Sequence, residues 1–253
     1  NDSVLFRIDQ LQLTDRKNFK LNEFNANFVL AGDRLKISNM FAGLPHSIIS
    51  EAQILVDKSK IRETGDYSRL MLDVQLNQSI ISMKDIAQLV PSIKGMDADF
   101  YLSERVYGTL ADLKGKDLKL SYGDYTTIAC DFYMNGLPVN DNTYLHLNLK
   151  KTTTRFSDIQ KLKLPESLRR SRIEFPEILN QAGLIEYQGS FTGFIGDFVA
   201  YGSMRSNYGK INTDLSFKPS GTDKIGMDGH LQTVDFKIGD LLKNELLGKL
   251  TFS

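Results

Sequence analysis

Residues 69–76 read RLMLDVQL, with Leu70, Leu72, Val74 and Leu76 at every second position and mostly polar residues between them. Side chains on a β-strand point alternately to its two faces, so this stretch predicts a strand with one apolar and one polar face. The stretches YLHLNLK at 144–150 and INTDLSFK at 211–218 repeat the pattern. The sequence therefore predicts a sheet that is covered on one side only.

Fourteen such strands are predicted, and turn residues such as Gly32-Asp33 and Gly123-Asp124 separate them. Neighbouring strands are expected to pair antiparallel because the connections between them are short. The predicted strands are residues 4–13, 19–30, 34–41, 47–57, 68–77, 98–107, 117–122, 126–135, 143–150, 184–193, 197–204, 208–218, 226–236 and 247–253.

Three short helices are predicted to interrupt the strands, each with an aspartate followed by isoleucine or leucine. Their aspartates, Asp85, Asp158 and Asp240, are 73 and 82 positions apart, and Ser82 is expected to cap the first helix in a capping box with Asp85. Such spacing is typical of degenerate repeats of four or five strands with one crossing helix. The expected repeats are residues 1–92, 93–165 and 166–245, with a further repeat starting at 246–253.

The alternation leaves two architectures open. Fourteen strands exceed the ~10 that usually persist in one open sheet, so two sheets could close into a sandwich. Alternatively, one elongated antiparallel sheet could curl lengthwise into a groove whose interior is open to a ligand. For any single position, the alternation alone favours an ordinary packed core.

Composition and motifs argue against several classes of function. Lysine plus arginine equals aspartate plus glutamate at 31 each, so no net charge attracts nucleic acid. The single cysteine, Cys130, excludes an internal disulfide and is expected to be a small buried hydrophobic residue. His46, His146 and His230 lack metal-site spacing, and no nucleophile elbow or phosphate-binding loop occurs. We therefore expect no catalytic residues, no metal, no cofactor and no enzymatic activity.

Most of the chain resembles a known family in the order and spacing of its segments. The quoted segments are residues 19–28, 35–39, 135–138, 164–165, 183–193 and 197–202. In this order they are similar to the central region of Bacteroidetes-type TamB proteins. The wider relatives of that family are the AsmA-like proteins and the bridge-like lipid transfer proteins.

The resemblance implies a periplasmic, mainly β rod with an apolar groove in a Gram-negative bacterium. It implies an N-terminal inner-membrane anchor and an outer-membrane barrel partner of the TamA or BamA type, bound through a C-terminal region. Because both ends of the chain have strand character, we expect an internal piece of the longer protein. The implied function is phospholipid transport between the two membranes in support of outer-membrane biogenesis.

Ten residues on the apolar side of the predicted strands are expected to line the groove and to contact phospholipid acyl chains. They are Phe24, Phe28, Leu72, Leu76, Leu118, Phe132, Leu147, Ile211, Leu215 and Phe217. Two other functions stay open: a scaffold for the translocation and assembly of outer-membrane proteins, and a β-sandwich carbohydrate-binding protein or enzyme.

Overall fold

The computed structural model describes residues 3–16, 19–89, 93–109, 111–136, 143–163, 166, 172, 175–194, 197–219 and 225–253. Residues 137–138 and 164–165 of the family-like segments lie outside this described part. Within it, all strands belong to one antiparallel sheet and are arranged in sequential order. The predicted fold class, a mainly β, elongated and curled antiparallel groove with short helices, is confirmed.

Each of the fourteen predicted strands has a counterpart in the structure, and so has each of the three predicted helices. Among the described residues, the short helix Ser59–Thr64 and the 3₁₀ helices Tyr67–Arg69 and Glu177–Ala182 are not predicted. The strands are β1 (Ser3–Thr14), β2 (Lys20–Ala31), β3 (Arg34–Gly43), β4 (Ile48–Asp57), β5 (Met71–Ser82), β6 (Asp99–Thr109), β7 (Asp112–Tyr122), β8 (Thr126–Asn135), β9 (Tyr144–Thr154), β10 (Ile185–Phe194), β11 (Asp197–Ser206), β12 (Gly209–Pro219), β13 (Ile225–Phe236) and β14 (Leu250–Phe252). The helices are α1 (Ser59–Thr64), α2 (Met83–Leu89), α3 (Phe156–Lys161) and α4 (Ile238–Leu242).

Two strands extend five residues beyond a predicted end, and each contains a β-bulge. Strand β5 continues beyond residue 77 to Ser82, and β7 begins at Asp112 instead of residue 117. A bulge inserts one extra residue, so the apolar side chains change from even to odd positions, or the reverse, within one strand. The extra residues include Gln78 in β5 and Asp117 in β7, at shifts in the pairing register. A search for strict alternation stops at these points.

The bulges are built from polar residues with left-handed backbone conformations. Six non-glycine residues with φ between 41° and 116° each lie at a register shift between two strands. They are Asn39, Glu51, Gln78, Glu104, Asp117 and Asp235. The first five lie on consecutive strands, β3 to β7, so they form a line across the sheet. Because a bulge bends its strand and increases its twist, this line favours a curled sheet.

The sheet is an open single layer, not a sandwich. Among the described residues, β1 pairs only with β2, and β14 only with β13. The chain has an accessible surface of 16284 Å² at a mass of 28.6 kDa. A compact monomer of that mass exposes about 11,000 Å². The excess surface follows from the lack of a second layer.

Helices α2, α3 and α4 lie at the same end of the strands. They follow β5, β9 and β13, so they are spaced four strands apart. At the other end of the strands, hairpin turns make most of the connections. The repeat boundaries stay a prediction, but the crossing helices recur with the regularity that the sequence indicates.

A buried aspartate attaches each of the helices α2 and α3 to the turn of a preceding hairpin. Asp85 Oδ2 accepts hydrogen bonds from the Ser47 hydroxyl (2.7 Å) and the His46 amide (3.0 Å) in the β3–β4 connection. The Ser82 hydroxyl makes no hydrogen bond within the described residues, so the predicted capping box is wrong. The Asp85 carboxylate contacts a neighbouring hairpin instead of its own helix.

Asp158 likewise attaches helix α3 to the β7–β8 turn. Its Oδ2 accepts hydrogen bonds from the Tyr125 amide (2.7 Å) and the Thr126 hydroxyl (3.0 Å), and its side chain is fully buried. Burial raises the pKa of Asp158, but these hydrogen bonds outweigh burial and hold the pKa below its usual value. Asp240 of α4 differs, because it is exposed and makes no side-chain hydrogen bond within the described residues.

An ion-pair cluster connects the region of helix α2 with the region of helix α3. Asp97, which follows α2, lies 2.7 Å from Lys84 Nζ of α2 and 2.8 Å from Lys163 Nζ, which follows α3. Hydrogen bonds and charge attraction, from Lys163 and then Lys84, lower the pKa of Asp97 from 3.8 to about 2. The Glu166 amide also donates to the Lys94 carbonyl at 2.7 Å. These contacts connect consecutive helices.

We predict that Asp158→Ala destabilises the fold by about 2–3 kcal/mol, because buried donors of the β7–β8 turn lose their acceptor. Asp240→Ala is the matched control, since it removes an aspartate from the equivalent helix at an exposed position. It is expected to change stability by less than about 0.5 kcal/mol. Urea denaturation of both variants measures the difference, and equal effects would contradict the anchoring role of Asp158.

A second prediction concerns acid stability. The pKa of Asp97 is depressed in the folded state, so its contribution to stability is complete above the unfolded value of 3.8. The contribution is lost as the pH falls through the folded value of about 2. We expect Asp97→Asn to flatten the fall of Tm between these two pH values relative to the wild type. An unchanged dependence of Tm on pH over this range would refute the stabilising role of the Asp97 ion pairs.

Candidate functional site

No group of three His, Cys, Asp or Glu side chains among the described residues could hold a metal ion. None of the helices in this part of the chain is long and apolar enough to cross a membrane. The feature that remains is the apolar face of the sheet, which is the candidate site.

Pairing register joins the apolar residues into continuous rows, since residues opposite each other on paired strands point to the same face. One row crosses thirteen strands, and every member is apolar or glycine. Its members are Phe6, Phe28, Ile37, Ile54, Val74, Val106, Gly115, Phe132, Leu147, Phe191, Ala200, Leu215 and Gly229.

A second row runs beside the first and has the same character. Its members are Val4, Leu30, Leu35, Val56, Leu72, Gly108, Leu113, Met134, Leu145, Gly193, Phe198, Phe217 and Met227. At ~4.8 Å per strand the two rows are about 58 Å long, and together they cover about 800 Å². The largest apolar patch on a typical monomer is about 300–600 Å². Such a surface needs a partner or a ligand.

The bulges keep charged side chains off the apolar face. Glu104 is paired with Leu76 in the register, but its backbone has a φ of 116°. Its carboxylate lies 3.5 Å from Lys119 Nζ, on the polar face. Asp117, with φ of 55°, likewise forms an ion pair with Lys150 on the polar face. Without these bulges, the two carboxylates would interrupt the apolar surface.

All ten predicted lining residues lie on the apolar face. Phe28, Phe132, Leu147 and Leu215 belong to the first row, and Leu72 and Phe217 belong to the second. The other four extend the surface on either side: Phe24 lies opposite Ala42, Leu76 packs against the cluster that contains Ala52, Leu118 lies opposite Cys130, and Ile211 lies opposite Met204. Nine of the ten are half-buried, so they are neither sealed in a core nor fully exposed.

Leu118 is the exception, because it is buried under its neighbours. It forms a small cluster with Cys130 and Leu149, against which Phe132 and Phe191 pack. The expectation that Cys130 is a buried hydrophobic residue is confirmed, and burial raises the pKa of its thiol. Leu118 is therefore covered by its neighbours on the apolar face.

Glycines allow aromatic rings to lie flat on the apolar face. A Cβ on Gly115 would lie 2.3 Å from a ring carbon of Phe132, and a Cβ on Gly202 would lie 2.4 Å from the Tyr187 hydroxyl. The rings therefore occupy the space above these glycines. The apolar face is therefore nearly flat at these positions, which leaves room for an extended ligand.

The aromatic residues concentrate where β10, β11 and β12 meet. Phe198 stacks on Phe217 with ring centroids 4.8 Å apart, and Phe191 lies 6.0 Å from Phe198. Beside these rings is a cavity of about 300 Å³ whose wall also includes Leu145 and Leu147. Its lining is almost entirely apolar.

Strict alternation missed several residues of the face. Phe191 lies in β10, where Gly189 and Gly193 take apolar-face positions, and Phe198 lies in β11, where Ala200 and Gly202 do. The expected run of large apolar residues is therefore absent. The usable signal is a glycine directly across from or next to an aromatic residue. The polar pairs Asn77-Gln78 and Lys116-Asp117, each inside an otherwise alternating strand, are the corresponding signal for the bulges.

Comparison of the chain with protein-family models, curated proteins and solved structures gave no match. The family resemblance therefore stays a prediction.

We predict that Gly115→Ala destabilises the protein by about 1–3 kcal/mol, because the new methyl group displaces the Phe132 ring. The matched control is Gly248→Ala, since a Cβ there meets nothing within 4 Å. This control is expected to be neutral or slightly stabilising. Urea midpoints report both effects, and a Gly115→Ala variant as stable as the wild type would disprove the packing of the ring on the glycine.

Proposed function

We propose that the apolar face carries phospholipid acyl chains and that the chain forms part of a periplasmic conduit between the inner and outer membranes. The observation that supports this proposal best is the first row of apolar and glycine residues across thirteen strands. A conduit requires a surface that is continuous, apolar and accessible from outside, and the face combines these properties.

The energetics fit a carrier of acyl chains. Moving a lipid with two ordinary chains into water costs about 20 kcal/mol or more, at ~0.8 kcal/mol per methylene. On the apolar face, the acyl chains leave water together with the apolar surface that they cover, at about 25 cal/mol per Å². This burial offsets most of the cost, so a lipid can leave a bilayer for the face with a lower barrier than for water.

The face also suits movement along its length. Its two rows contain no hydrogen-bonding side chain and no charge that would hold a headgroup at one place. Dispersion contacts with Phe28, Val74 or Leu215 are individually weak and nearly equal, so an acyl chain passes from one strand to the next. The headgroup stays in water at the open side.

A second candidate function is a scaffold for the assembly of outer-membrane proteins, and the apolar face is compatible with it. Strands of outer-membrane barrels carry an apolar side chain at every second position. An unfolded barrel strand can therefore place its apolar side chains against the rows that contain Phe28 and Leu30. Under this hypothesis, crosslinks from the apolar face to unfolded outer-membrane segments are expected.

We predict that Leu147→Asp lowers phospholipid binding at least about tenfold, because it places a charge in the middle of the apolar face beside the aromatic cavity. Asn148→Asp is the control, since it introduces an aspartate at the next residue, whose side chain lies on the polar face. The assay uses fluorescent phosphatidylethanolamine and purified protein, with far-ultraviolet circular dichroism to confirm folding. Native mass spectrometry with lipid extraction tests the wild type.

Wild-type lipid binding by a folded Leu147→Asp variant would overturn the conduit, and so would equal losses in the two variants. If lipid binding is absent from both the wild type and Asn148→Asp while the apolar face crosslinks to nascent outer-membrane strands, the scaffold hypothesis is favoured instead.

A further inference from the structure

The polar face of the sheet has a hollow of about 580 Å³ across β9–β13, on the side opposite the apolar rows. One line of its side chains follows the pairing register over five strands: Asn148, Ser190, Tyr201, Asp214 and His230. A second line runs beside it through Gln188, Ser203, Asn212 and Gln232. We call this surface the polar hollow.

The side chains of the two lines make no hydrogen bonds or ion pairs with other described residues. Thr213, which also borders the hollow, donates a hydrogen bond to the Gly202 carbonyl at 3.4 Å. Elsewhere on the polar face several groups are paired. Lys150 contacts Asp131, Thr127 shares a hydrogen bond with Thr153, and His146 bonds to Thr192. In the hollow, amide, hydroxyl and carboxylate groups are held at fixed spacing on neighbouring strands, and most of them are exposed to solvent.

The chemistry of the hollow fits an uncharged ligand with many hydroxyl groups. Asparagine and glutamine side chains donate and accept at the same site, as a sugar hydroxyl also does. The single lysine, Lys210, and the single aspartate, Asp214, cancel in formal charge. Tyr201 is 64% exposed, so its ring is available to stack on a pyranose face. An anionic ligand would find only one cation, and an apolar ligand would leave the amides unpaired.

We propose that the polar hollow binds a neutral oligosaccharide. Strands hold the side chains at fixed spacing, so binding requires little reorganisation. The site lies on the opposite face from the lipid surface and shares no side chain with it. One molecule can therefore carry a glycan outside and acyl chains inside, and either activity can fail without the other.

The test titrates the 253-residue chain with cellotetraose, maltotetraose and N-acetylchitotetraose, and follows backbone amide signals by NMR. Saturable shifts confined to β9–β13 are expected with at least one of these sugars, with a Kd of about 1 mM or tighter. Tyr201→Ala and Asp214→Ala are each expected to weaken binding about tenfold, because they remove the stacking ring and the strongest acceptor.

Asp228→Ala is the matched control, since Asp228 is an exposed aspartate on the same face but outside the polar hollow. It is expected to leave the Kd unchanged within about twofold. Leu147→Asp is expected to retain sugar binding, which separates this result from a failure of the lipid conduit. The proposal is overturned by the absence of saturable shifts with all three sugars at about 10 mM, by unchanged binding in Tyr201→Ala, or by tighter binding of a heparin tetrasaccharide.

Discussion

The pairing register between neighbouring strands is the constraint on which the rest of the structure depends. It aligns one residue from each of thirteen strands in an apolar row, and the polar bulge residues keep that alignment where the sequence changes phase. A shift of one residue at a single pair would move the following apolar side chains to the wet face. The surface that we assign to lipid thus exists only because the register is right at every strand.

The distribution of buried groups reflects this single-layer design. The largest fully buried side chains of the described residues are polar, and Asp85, Asp158 and Thr143 lead them. Leucine and phenylalanine side chains remain half-exposed on the face, where a globular domain would cover them with another layer. Stability therefore comes from backbone pairing and from anchored turns, while the apolar side chains stay available for a ligand.

Alternation predicted most of this architecture from the sequence. Fourteen strands and three helices follow from side-chain period and turn residues, and all ten proposed lining residues lie on one face. The bulges were missed, because strict alternation treats a polar pair such as Asn77-Gln78 or Lys116-Asp117 as the end of a strand. Strand period also could not choose between a sandwich and an open groove, since both give half the residues an apolar environment. The polar hollow was not predicted, because its residues come from five strands and only the register brings them together.

Strictly sequential strand order also has a consequence for how the molecule forms. Every strand finds its partners immediately before and after it in the chain, so no distant segments must meet before pairing begins. Topologies dominated by such local pairings have low contact order and tend to fold fast for their size. Neighbour-only coupling, as in solenoids, lets structure start at any hairpin and spread in both directions, and it lets the two ends fray while the centre stays intact.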